Sequence, residues 1–203
     1  MEIIVISDPL YFKAEAWLIN QLFEAGMPIF HLRKVGRNRA DYAALLGGID
    51  EDYHDRLALH QFHELQADFP LVKRLHYPEQ MRKELDAKGL PFPSGDDVLS
   101  TSIHHPDALL ELTRFEYTFY GPVFNSLSKP GYTGIAEADA GFTLPVKRTG
   151  PKIIALGGID AGKVNAVRAM GFDGLALLGA VWMDKEQALN RFKLIKDKCD
   201  SND

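Results

Sequence analysis

Short apolar runs recur along the chain between polar and amphipathic stretches: EIIVIS (2–7), PIFHLR (28–33), RLALH (56–60), LVKRLH (71–76), DVLSTS (97–102), EYTFYG (116–121), KIIALGG (152–158) and GLALLG (174–179). Runs of this length, rich in β-branched and aromatic residues and bounded by Gly, Pro or charge, predict eight strands. Between them the pattern takes a helical period. KAEAWLINQLFEAG and AGKVNAVRAMG both end at a glycine stop, and DKEQALNRFKLIKDK opens on an acid and closes on lysines that suit a helix C-terminus. The aromatic residues Trp17, Phe23 and Phe192 fall at helical spacings and are expected in the core. Matching elements are hardest to place between 61 and 97, where YPEQMRKELDAKGLPFPSGDD is polar, proline-punctuated and only partly helical.

Strand and helix in alternation imply parallel pairing through right-handed crossovers. Eight such units in 203 residues predict an α/β fold, a compact single-domain (β/α)8 TIM barrel over 1–203 with 197–203 as a polar tail. A doubly wound open sheet is the alternative. No low-complexity region or domain linker interrupts the rhythm.

Composition narrows the function classes. The chain is 46% hydrophobic and 25% charged, ordinary for a globular protein. A net charge of -5 argues against a nucleic-acid partner, which would call for a basic face. Small anions remain suitable ligands, because local amides and a few cations bind them on an acidic protein. The single cysteine, Cys199, lies in KDKCDSND, which excludes an intrachain disulfide and a cysteine-rich metal site and reads as a tail thiol. The N-terminus lacks a signal-peptide pattern and no apolar run reaches about 18 residues, so a cytoplasmic protein without a membrane partner is expected. Homo-oligomerisation is left open.

If the chain is a barrel, the loops after its strands build the functional face. The loop GPVFNSLSKPGYTG (121–134) follows the sixth run and carries Ser126, Ser128 and Lys129. ALGGIDAGKVNAV (155–167) sets Gly157, Gly158 and Ile159 between a strand and a helix start, where free amides favour an anion, and Leu178 and Gly179 end the eighth run. A tight turn without a ligand explains a lone Gly-Gly equally well, so the pair of strand ends carries the phosphate reading. In LSTSIHHPDALL, Ser100, Ser102 and His104 alternate and so point the same way from an extended strand. His104 is a proton donor or acceptor in one reading and a helix-start residue in the other. His31 and Arg33 share one face of HLRK, with Arg33 suited to forked recognition of a phosphate or carboxylate, or else simply solvating a strand end. The histidines at 54, 60, 63 and 76 show no metal-ligand pattern: His60 and His63 lack a nearby carboxylate cluster and read as exposed or supporting residues. No metal site is expected from them.

Together the segments FHLRK, STSIH, YTFYGPVFNSLSKPG, ALGGI and GFDGLALLGAV, in this order and at these intervals, resemble the thiamine phosphate synthase and thiazole tautomerase (TenI-like) superfamily. The likeness covers most of the chain and is poor over 61–97. It implies a thiazole phosphate ligand, with its phosphate at Gly157, Gly158, Ile159, Leu178 and Gly179 and an anion clamp at Ser126, Ser128 and Lys129. In the synthases, magnesium and several cations neutralise a leaving diphosphate as the thiazole nitrogen attacks a pyrimidine cation. This chain departs from that pattern. HLRKV stands for Gln-Leu-Arg-Glu-Lys, which puts Val35 at the usual lysine with Lys34 beside it. LHQF offers His60 and Gln61 in place of Asn-Asp, and after the fourth run only Glu79 is nearby. These departures favour the TenI-like tautomerase, which needs no cofactor and moves a proton so that a thiazole carboxylate phosphate becomes aromatic, with His104 as the proton-transfer residue. A divergent synthase using Mg2+, with Arg33 and Lys129 essential and hydroxymethylpyrimidine diphosphate as second substrate, is one alternative. An inactive phospho-ligand-binding or regulatory protein is the other.

Overall fold

The computed structural model describes residues 1–36, 38–125, 134–145 and 149–201. All eight apolar runs form strands: β1 (Glu2–Ile6), β2 (Ile29–Leu32), β3 (Leu57–Leu59), β4 (Arg74–Tyr77), β5 (Val98–Ile103), β6 (Tyr117–Tyr120), β7 (Lys152–Leu156) and β8 (Gly174–Leu177). Each pairs in parallel with the next, and β8 returns to β1 through Glu2 to Val5 against Gly174 to Leu177. The sheet is therefore a closed barrel and the open-sheet alternative falls away.

Around it lie α1 (Glu15–Glu24), α2 (Arg39–Gly47), α3 (Glu79–Ala87), α4 (Ile135–Ala138), α5 (Val164–Ala169), α6 (Gly179–Trp182) and α7 (Ala188–Asp200). Single 3-10 turns at His63–Ala67 and Pro106–Glu111 follow β3 and β5 in place of full helices, which lets eight strands fit in so short a chain. Among the described residues no helix is long and apolar enough to cross a membrane.

Parallel strands covered by helices are buried on both faces, which is why they read as continuous apolar runs. Outward residues such as Val5, Leu32, Leu59, Leu75, Ile153 and Leu175 join the helices in the larger core. Inward residues Ile4, Ile6, Ile29, Tyr117, Phe119, Ile154 and Ala176 form a smaller apolar cluster inside the barrel. Buried polar residues His31, His60, His76 and Ser100 lie on β2, β4 and β5 and just past β3.

Two expectations at the helices need correction. Trp17 is 62% exposed, because α1 turns Leu18, Ile19, Leu22 and Phe23 to the barrel and leaves position 17 on the solvent side. Phe23 and Phe192 are buried as expected. Cys199 is no tail thiol: α7 continues to Asp200, Cys199 packs into the core, and the Arg168 guanidinium donates to the carbonyls of Lys198, Cys199 and Ser201. That guanidinium satisfies carbonyls which the helix end would otherwise leave without partners.

Candidate active site

The C-terminal ends of the strands form one rim, and the chemistry-bearing side chains collect there. Ser100 and Ser102 lie two apart on β5 and so share one side of it, and His104 follows the strand's last residue, Ile103. The Ser102 hydroxyl accepts the backbone N–H of Glu79 at 3.2 Å, which fixes the first residue of α3 beside the strand. One Glu79 carboxylate oxygen then takes His104 Nδ1, and the other lies 2.7 Å from Lys83 Nζ one helical turn on. His104 itself is 64% exposed. Burial alone would raise the Glu79 carboxyl, but the hydrogen bonds from His104 and Lys83 outweigh it and hold the group below its ordinary value. A shallow groove of about 420 Å³ runs from this pair along α3, lined by Gln80, Lys83, Glu84 and Ala87.

Arg33 and Lys34 diverge at the end of β2. Arg33 is exposed at the rim, and its charge bears on His60 and His76. Among the described residues no carboxylate pairs with it. Lys34 turns the other way: its ammonium donates to the carbonyls of Asp8 at 2.9 Å and Leu10 at 3.1 Å and forms a buried pair with Glu15. Lys34 is thus tied to the loop after β1 and does not stand in for the lysine replaced by Val35, whose own side chain is exposed. Gln61 is equally committed, its side chain accepting Lys34 N–H at 3.0 Å and donating to Lys34 C=O at 2.8 Å.

The Gly-Gly turn has a packing reason of its own. Gly157 and Gly158 have φ of 106° and 64°, and a Cβ on Gly158 would lie 2.6 Å from the Asn125 carbonyl oxygen. The loop after β6 presses on the loop after β7, with Val123 and Phe124 N–H donating to Leu156 and Gly157 carbonyls. The expected helix start lies elsewhere: α5 begins at Val164, beyond an Asp160–Lys163 turn, so Gly158 does not stand at a helix N-terminus. Lys163 reaches back, its ammonium donating to Gly158 C=O at 2.7 Å, which adds a cation that the sequence reading did not single out. Ile159 is buried and offers a ligand only its backbone. Leu178 and Gly179 follow β8 on the same rim, Gly179 opening the single turn of α6. Ser126, Ser128 and Lys129 lie outside the described residues. The segment that holds them is bracketed by Asn125, whose side chain accepts Gly134 N–H at 2.7 Å and donates to Glu137.

Below the rim the interior departs most from expectation. His60 and His76 are neither exposed nor unrelated: both are buried and converge with His31, one ligand-capable nitrogen of each lying within 4.8 Å of the others. The register explains it. Leu59 pairs with Leu75, so His60 and His76 leave adjacent strands side by side, while His31 pairs with Ala58 two residues lower. His31 Nδ1 lies 2.8 Å from His60 Nε2, His31 Nε2 lies 2.7 Å from the Tyr117 hydroxyl, and His76 Nδ1 lies 3.0 Å from the Ser100 hydroxyl. The His60 and His76 rings stack at 4.0 Å. Burial, then neighbouring positive groups, pushes all three imidazoles below their ordinary value, His76 to about 3, so they are neutral at pH 7. His31 and Ser100, expected to touch ligand, are enclosed and bonded within this cluster, one level beneath the surface a ligand would meet. A signal was present in the sequence: RLALH and LVKRLH end in histidine at equivalent places, and parallel pairing of successive strands aligns them.

No family model matches the chain, and no curated protein matches it. Solved structures do. A thiamine phosphate pyrophosphorylase from Bacteroides thetaiotaomicron superposes with a TM-score of 0.74 at 26% identity, covering 100% of both chains. One from Pyrococcus furiosus gives 0.73 at 14% identity, over 98% of this chain and 95% of the other. A 3-hexulose-6-phosphate synthase gives 0.62 at 16% identity, over 98% and 99%, and shares the fold alone.

Proposed function

We propose, from the premise that this barrel is of the thiamine phosphate synthase and TenI-like superfamily, that it binds a phosphorylated thiazole at its rim and moves a proton on it. The observation that carries this reading is the His104–Glu79 pair. An imidazole with Nδ1 on a carboxylate has Nε2 left to act as an acid or base, and the carboxylate orients the ring and stabilises its protonated form. Aromatisation needs one proton removed from a ring carbon and one returned elsewhere on the conjugated system. It involves no redox step and no second substrate. His104 Nε2 is the proton carrier in this account. Arg33 receives the ligand carboxylate in forked geometry, and the strand ends at Gly157–Ile159 and Leu178–Gly179, with Lys163 nearby, receive the phosphate. The resemblance adds Ser126, Ser128 and Lys129 as the anion clamp.

The donor set supports this choice over synthase chemistry, which implies magnesium. A hard dication prefers carboxylate oxygens. At this rim Gln61 spans the backbone of Lys34, Glu79 is taken by His104 and Lys83, Asp8 pairs with Lys185, and Glu15 pairs with Lys34. The described residues do not fit that ion. A divergent synthase is the second reading, favoured by the full-length 26% identity with a thiamine phosphate pyrophosphorylase.

The test is steady-state kinetics on the non-aromatic thiazole carboxylate phosphate with wild type, His104→Ala and Glu79→Gln. Loss of a general acid–base lowers kcat by about 10²- to 10⁴-fold, so His104→Ala should fall in that range with KM little changed. Glu79→Gln should fall less and shift the pH profile. An undiminished rate in His104→Ala removes His104 from the mechanism. Tight binding without turnover in the wild type leaves an inactive binding protein.

A further inference from the structure

We propose that His31, His60 and His76 form a site for a borderline divalent transition-metal ion, of the Zn2+ or Co2+ class, inside the barrel beneath the rim. This goes beyond the proton-transfer reading and does not depend on it.

Three observations carry it. The three imidazoles come from consecutive strands of a closed barrel, so their backbones are held by the hydrogen-bond ladder, and their donor atoms already lie within 4.8 Å of one another. Each ring is buried, so the three donor atoms face one another and not bulk water. Hydroxyls orient two of them, Tyr117 on His31 Nε2 and Ser100 on His76 Nδ1, the kind of outer partner that fixes ring orientation around a metal. His31 Nδ1 and His60 Nε2 then meet across 2.8 Å, a contact that needs a proton between two lone pairs. An ion at about 2.1 Å from each nitrogen replaces that proton and spreads the pair to about 3.3 Å. The stacked His60 and His76 rings must splay by side-chain rotation for both lone pairs to reach the same ion.

The ligand chemistry sets selectivity. Three imidazoles without a carboxylate suit Zn2+, Co2+ or Ni2+ and not Mg2+. Three protein ligands also leave a coordination position open, the arrangement of reactive rather than closed structural sites.

The experiment uses tag-free, chelator-treated full-length protein titrated with Co2+ at pH 7.5, read by visible d–d absorption and by calorimetry, with millimolar Mg2+ as competitor. The expected result is one Co2+ per chain, undisturbed by Mg2+. Ser100→Ala should weaken it about ten- to a hundredfold. His60→Gln should abolish it while circular dichroism stays that of wild type, and the exposed His105→Ala should leave it unchanged. Absence of stoichiometric binding overturns the proposal. So does binding that survives in both His60→Gln and His76→Gln, or that Mg2+ displaces. Should His60→Gln fail to fold, His76→Gln and the Ser100→Ala weakening decide.

Discussion

Acidification should unfold this barrel from the inside. His76 titrates near 3 in the folded protein because burial, reinforced by the positive charges of His63 and Arg33, opposes its imidazolium. In the unfolded chain it titrates at its ordinary 6.5. Between those values the unfolded state binds the extra proton, so stability rises with pH, is complete above about 6.5, and is lost as pH falls toward 3. At pH 5 the unfolded imidazole is protonated over about 1.5 pH units, which costs the folded state about 2 kcal/mol at 1.36 kcal/mol per unit. His31, His60 and His63 are shifted in the same direction, so the whole loss exceeds that of His76. Against a typical stability of about 5–15 kcal/mol the effect is large. Urea unfolding at pH 7.5, 6.5, 5.5 and 5, in chelator so that no metal ion holds the cluster, should show a falling midpoint with constant slope. The His76→Gln variant should fall less, by about 1 M in urea midpoint between the extremes. A wild-type midpoint that is flat from pH 7.5 to 5, or a variant as steep as wild type, refutes the reasoning.

Other outcomes follow from single contacts. Glu15→Gln leaves the buried Lys34 ammonium without its countercharge and should destabilise by about 3–5 kcal/mol in chemical denaturation, whereas Glu15→Leu with Lys34→Met should recover most of that loss. Gly158→Ala puts a side chain at φ 64° against the Asn125 carbonyl and should cost about 1–3 kcal/mol, with weaker binding of a phosphorylated ligand by calorimetry. Arg33→Ala should weaken that ligand with little change in unfolding midpoint, because Arg33 is exposed at the rim.

The barrel was legible because strands buried on both faces announce themselves as apolar runs, and closure follows from eight of them in parallel. Alternation along β5 made it legible that Ser100 and Ser102 share one side, Ser100 meeting His76 inside the barrel and Ser102 meeting Glu79 at the rim. Glu79 as the partner of His104 was not, because the contact crosses 25 residues and depends on where α3 begins. The interior cluster was hidden for a related reason. Metal-ligand spacing is sought along one segment, whereas His31, His60 and His76 meet through strand register. Gly157 and Gly158 carry two physical demands that one pattern cannot separate, since a turn suited to a phosphate also serves close packing of two loops. Cys199 looked like tail because KDKCDSND is polar, yet one face of α7 is enough to bury it.

The most direct test of the central claim incubates the protein with the non-aromatic thiazole carboxylate phosphate and hydroxymethylpyrimidine diphosphate, with and without Mg2+, and quantifies the aromatic thiazole and thiamine phosphate separately. Proton transfer at His104 predicts catalytic formation of the aromatic thiazole whether or not Mg2+ is present, and no thiamine phosphate above the enzyme-free control. Magnesium-dependent thiamine phosphate at catalytic turnover, without tautomerisation of the thiazole alone, would contradict it and make this barrel a synthase.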